Sequence, residues 1–170
     1  MVSRLLPKLI CKGFYMRLLF SLIALIFMST PVMASCYSAE EAEAEQAIRI
    51  HSELMVIGLN CQHMTPRGQQ NFYSQYRAIT NRHADLFSNY ENTLVNYFSK
   101  NGGNAERKVH DLRTSFANRV STDAANMRPD VFCSNYVRRL KQVNRMSRAE
   151  LQQWAATAAM SEPLTQATCH

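Results

Sequence analysis

The chain is poor in glycine, with five in 170 residues, and none of them builds a phosphate-binding loop or a Gly-x-Ser-x-Gly nucleophile turn. His-Glu-x-x-His is missing too. Three common routes to hydrolysis and nucleotide chemistry therefore lack their starting residues, and no enzymatic activity is expected. Cys-x-x-Cys-His is absent, which excludes covalent haem attachment of the c type. No apolar run reaches the roughly 20 residues that a membrane-spanning helix needs. Internal repeats, low-complexity tracts and a linker long enough to divide the chain are also missing.

The longest apolar run, Leu18 to Met28, is broken only by Ser21 and follows Arg17 directly. A positive end, a short apolar core and small residues after it make a secretory signal peptide. Residues 1–34 are read as that leader, with Met16 a more compact start than Met1. Cleavage is expected after Ala34, with Val32 at the third position before the cut. Met33-Ala34-Ser35-Cys36 also resembles a bacterial lipobox, in which Cys36 would carry a lipid anchor. Cysteine parity argues against acylation. Cys11 leaves with the leader, and Cys36, Cys61, Cys133 and Cys169 remain as an even set, which in an exported chain favours two disulfides. The expected compartment is the periplasm or the exterior, and the expected mature form is a single helical domain over 35–170 with no transmembrane span.

Charge excludes a second class of function. The formal net charge is +6, but residues 1–34 hold four bases and no acid, so only +2 remains over 35–170. Nucleic acid is therefore not an expected partner.

The periodicity is helical almost throughout. Ser38 and Glu41 form a capping box, and Ala47, Ile50, Leu54, Ile57 and Cys61 mark a first helix over about 38–62. Thr65-Pro66 suits the start of a second, in which Phe72, Tyr76, Ile79, His83, Leu86, Tyr90, Leu94 and Tyr97 hold one face as far as Asn101-Gly102-Gly103. Val109, Leu112, Phe116 and Val120 define a third. Arg128-Pro129-Asp130 opens a fourth with Cys133, Tyr136, Val137 and Leu140, and Ser147 with Glu150 caps a short fifth. Short connections make these neighbours antiparallel. The expected fold is all-α, an up-down bundle of four main helices plus a short C-terminal helix, stapled by disulfides.

Geometry narrows the cysteine pairing. Cys36 and Cys61 flank one helix of about 25 residues and so lie roughly 37 Å apart, whereas a bridge needs Cα atoms within about 7 Å. Cys61 at the top of the first helix meets Cys133 at the top of the fourth. That leaves Cys36 with Cys169.

Arg138, Arg139, Lys141, Arg145 and Arg148 are the candidate interaction surface, able to grip phosphate, lipid headgroups or an acidic partner protein. The competing expectation places them at the bottom of the bundle, paired with Glu40, Glu41, Glu43, Glu45 and Glu53. His63 and Met64, beside Cys61, are candidate metal donors, and His51, His83 and His110 are spread over three helices. Asp85, Glu91 and Asp111 could join a histidine as acid and base, a combination any helical protein offers. The aromatics Phe72, Tyr73, Tyr76, Phe87, Tyr90, Tyr97 and Phe98 make the second helix either the organising centre or a partner-binding face. The functional expectation is a binding or accessory protein that engages another protein and holds no cofactor. The alternative is a small-ligand or metal carrier using the bundle interior.

Overall fold

Ser38 opens the first helix by accepting a hydrogen bond from the Glu41 amide at 3.2 Å, while the Glu41 carboxylate accepts from the Ser38 amide at 2.7 Å. Two donors that a helix start leaves unpaired are thereby satisfied. The computed structural model describes residues 35–169, so the expected leader, its Met16 start and the cut after Ala34 lie outside the described residues. Among these residues six helices follow one another: α1 (Ala39–Cys61), α2 (Phe72–Arg82), α3 (Ala84–Lys100), α4 (Ala105–Asn126), α5 (Pro129–Arg145) and α6 (Arg148–Ser161), with a 3₁₀ turn at Gln62–Met64. No named strand occurs among the described residues. One isolated bridge joins Tyr37 to Thr168.

The fold is an all-α up-down bundle. Gly58 near the top of α1 meets Phe72, Tyr73 and Tyr76, and Glu43 near its base meets Tyr90, so α2 and α3 descend along α1. Glu91 of α3 pairs with Arg113, and α4 climbs back to place Asp123 beside Tyr136. Cys133 returns the chain to Cys61, with Cα atoms 5.6 Å apart, and Arg139 then reaches Glu53 lower down. After α6 the tail straps across the base. Tyr37 donates to the Ala167 carbonyl at 2.8 Å, Cys169 donates to Tyr37 at 2.9 Å, and Cys36 bonds Cys169 with Cα atoms 5.1 Å apart.

The second long helix departs from expectation at two points. It begins at Phe72 and not at Thr65-Pro66, because Gly68 takes φ +79, a left-handed turn that a helix cannot contain. Asn71 caps it instead, accepting from the Tyr73 and Ser74 amides. The helix also breaks at His83, whose φ of −114 and ψ of 23 lie off the helical values. Both halves stay packed on α1.

The axis of the bundle is α1, not the aromatic helix. It touches every other helix, and from Ala44 to Ile50 it is buried all round. Ala42, Ala44 and Ala47 have side chains small enough for neighbours to close on every side. Phe72, Tyr76, Phe87, Tyr90 and Tyr97 are buried, with Tyr73 and Phe98 partly covered, so the aromatics of α2 and α3 serve the core and offer no exposed partner-binding face.

The expected pairing of a basic helix end with the glutamates of α1 is largely absent. Glu45 turns inward to Arg49 and Thr165, Glu43 accepts from Tyr90, and Arg148 bonds Asp85. Of the α1 glutamates, Glu53 alone meets the basic run among the described residues, through Arg139. Helix rise explains the miss. Arg138 lies five residues below Cys133, about 7.5 Å, whereas Glu40 lies about 30 Å below Cys61.

Candidate functional site: a cationic groove between α2 and α5

Cys133, Val137, Leu140 and Val143 turn into the core, which fixes the rotation of α5. Arg138, Lys141 and Arg145, spaced by three and four residues, consequently share one outward stripe. The five cations of the sequence reading thus divide into two groups. Arg139 and Arg148 are held by Glu53 and Asp85. Arg138, Lys141 and Arg145 are exposed and meet no carboxylate within ion-pair distance among the described residues.

The partner helix α2 sharpens this stripe. No acid occurs between Glu53 and Asp85, nor between Asp130 and Glu150, and these two acid-free segments supply α2 and nearly all of α5. The two helices pack side by side, with Arg82 donating to the Asn144 carbonyl at 2.9 Å. Arg67, Arg77 and Arg82 are exposed on the α2 side. Asp130, the one acid of α5, is already held by Arg128 at 2.9 Å. Between the helices runs a groove of about 330 Å³, lined by Met64, Pro66, Phe72, Val137, Arg138 and Lys141 among others. The Lys141 ammonium lies 5.7 Å from the centre of the Phe72 ring, a distance at which the ring face attracts a cation.

His63 and Met64 stand exposed on the 3₁₀ turn, and the neighbouring Cys61 sulfur is committed to Cys133. Among the described residues no three His, Cys, Asp or Glu side chains converge on a common point. The histidines are not brought together. His51 Nε2 lies 3.3 Å from the Tyr76 hydroxyl and 3.4 Å from Thr80 Oγ1, and burial, helped by the Arg113 charge, lowers its pKa to about 4. His83 is buried at the kink, its Nε2 without a hydrogen-bond partner, and burial lowers its pKa as well. His110 is exposed beside Asp111 at 3.9 Å. Glu91 is taken by Arg113 and Asp85 by Arg148.

Sequence reasoning missed a second polar centre, inside the base of the bundle. Glu45 is fully buried, accepts from the Thr165 amide at 2.9 Å and from its hydroxyl, and faces Arg49 at 3.7 Å. Arg49 donates to the Pro163 carbonyl and lays its guanidinium 4.5 Å from the centre of the Phe116 ring. Its signal was the four-residue spacing of Glu45 and Arg49, common to surface helix pairs and so uninformative about burial. Next to it a smaller hollow of about 130 Å³ lies among Gln46, Arg49, Glu53, Arg139, Trp154 and Glu162. Burial there raises the Glu53 carboxyl above its ordinary value, and Arg139 offsets part of that rise.

Comparison of the chain with known protein families, curated proteins and solved structures finds no match.

Proposed function

We propose that this is an exported accessory protein that captures another protein through the cationic face of α5, acting by binding and not by catalysis. The observation that carries the reading is the division of the basic run: two cations serve the fold, and Arg138, Lys141 and Arg145 are left exposed on one stripe. Exposed like charges on one face repel one another and favour an acidic partner. Export is supported by the leader pattern of residues 16–34 and by two disulfides, which persist in oxidising compartments. With its sulfur joined to Cys169, Cys36 has no thiol to offer for acylation, which favours simple cleavage over a lipid anchor. The periplasm or the cell exterior is accordingly the proposed location.

The capture claim is tested by photo-crosslinking from Ser134, an exposed residue on the groove, in the native compartment. The unaltered protein is expected to give a discrete protein adduct. The triple variant Arg138→Glu, Lys141→Glu, Arg145→Glu is expected to lose it while keeping its helical circular dichroism and its melting temperature, since surface changes of this kind shift stability by only about 0.5 kcal/mol each. An adduct of undiminished yield would reject this surface. Intact mass spectrometry of the exported form checks the rest, with a start at Ser35 and the loss of four hydrogens expected. A retained leader or free thiols would reject export.

A further inference from the structure

Three large apolar side chains stand exposed among the described residues: Leu59, Met64 and Val131. Each lies within three residues of Cys61 or Cys133, so the disulfide between those cysteines gathers all three at one end of the bundle. The α2–α5 groove opens at that same end. Its floor is apolar, made by Phe72 and Val137 with Met64 and Pro66 beside them, and its cationic wall is Arg138 and Lys141. A site that sought only an anion would gain nothing from such a floor. A flat lipid surface would not reach into it. The volume, about 330 Å³, is at the small end of the range for small-molecule sites, about 300–1,000 Å³, and suits one inserted side chain better than a whole ligand.

We infer that the groove receives an acidic segment of a partner protein carrying one large apolar side chain. That side chain enters between Met64, Phe72 and Val137, and the flanking carboxylates meet Arg138, Lys141 and Arg145. Charge complementarity selects the occupant. The two acid-free segments hold eight bases, of which Arg139 and Arg148 are paired with Glu53 and Asp85, and the one acid that lines the groove, Asp130, is already held by Arg128. The inference rests on the reading of the α5 stripe as a capture surface and adds the apolar anchor to it.

The test uses the disulfide-bonded protein, two short synthetic peptides and phosphatidylglycerol vesicles. One peptide centres a leucine among aspartates and glutamates; the other has serine in its place. Fluorescence anisotropy is expected to show the leucine peptide binding about tenfold more tightly, the gain that burying such a side chain supports. Ser134→Trp, which fills the groove from its exposed α5 wall, is expected to erase that difference. Met64→Ser, at an exposed position, is expected to weaken the leucine peptide more than the serine one, and a thermal melt confirms that both variants fold. Equal affinities for the two peptides would overturn the anchor while leaving acidic capture standing. Binding of both peptides undiminished by Arg138→Glu with Lys141→Glu would overturn the capture surface itself. Vesicles that displace both peptides would overturn a protein occupant in favour of a lipid one.

Discussion

At the end closed by Cys36 and Cys169 the chain buries an ion pair, Glu45 with Arg49, whereas at the end closed by Cys61 and Cys133 it exposes cations and apolar side chains together. The base holds Glu45, Arg49 and Tyr37 beneath the C-terminal strap, and the strap's own backbone supplies partners through Pro163, Thr165, Ala167 and Cys169. The top leaves Leu59, Met64 and Val131 in contact with water, next to a stripe of cations without acids. Both ends are stapled, so disulfides by themselves do not separate them. What separates them is whether the polar groups near each staple find partners inside the molecule. A polar network that is closed at one end locks the fold, and an amphipathic surface left open at the other is what binding requires.

The comparison breaks most visibly at Glu45. Glu45→Ala strands the Arg49 guanidinium in the core, and breaking a buried pair from one side costs about 3–5 kcal/mol. Urea denaturation is expected to show a loss of that size. A loss under about 1 kcal/mol would mean that the base is not the locked end, since changes that small are ordinary for surface sites.

Between the two ends His51 offers a test by pH. Its folded pKa of about 4 lies below the ordinary 6.5, so the unfolded chain binds the proton more readily than the folded one. Stability from this residue is therefore complete above about pH 6.5 and is lost as pH falls from there toward 4, by at most about 3 kcal/mol. His51→Leu is expected to flatten the stability profile across that window. An unchanged slope would show that His51 is not held neutral by its surroundings of Tyr76, Thr80 and Phe87.

The smallest effect is expected near the open end. A Cβ at Gly58 would meet Tyr76 Cβ at 3.1 Å and Tyr73 Cα at 3.3 Å, where α1 and α2 approach closely. Gly58→Ala gains about 1 kcal/mol of helix propensity and loses about 1–3 kcal/mol to overpacking. A net loss of about 1 kcal/mol is expected in the melt, together with weaker peptide binding, because Phe72 in the groove is carried by the same displaced turn. A gain in stability would show that this end is loosely packed as well as exposed.

Much of the architecture was legible from local chemistry. The Ser38–Glu41 and Ser147–Glu150 boxes stand where their sequence pattern put them, and Pro129 opens α5. Helix length barred Cys36 from Cys61. The start of α2 was misread because Thr65-Pro66 makes a plausible cap, and the left-handed Gly68 that forbids it carries no mark distinguishing it from any other glycine. Arg139 and Arg138 are adjacent and chemically identical, yet one is committed to Glu53 and the other is free for a partner. Nothing in their neighbours along the chain tells them apart.

The sequence by itself determined the starts of α1, α5 and α6, which stripe of each helix turns inward, and which cysteines can reach one another, because caps, periodicity and rise per residue act over a few residues. The start of α2 and the break at His83 were left to the tertiary structure. Only the tertiary structure decided that α1 is the axis, that Glu45 and Arg49 lie inside, and that two acid-free segments 45 or more residues apart line one groove. Burial and juxtaposition depend on what packs over a side chain from elsewhere in the chain. That covering is a property of the assembled bundle and of no single stretch within it.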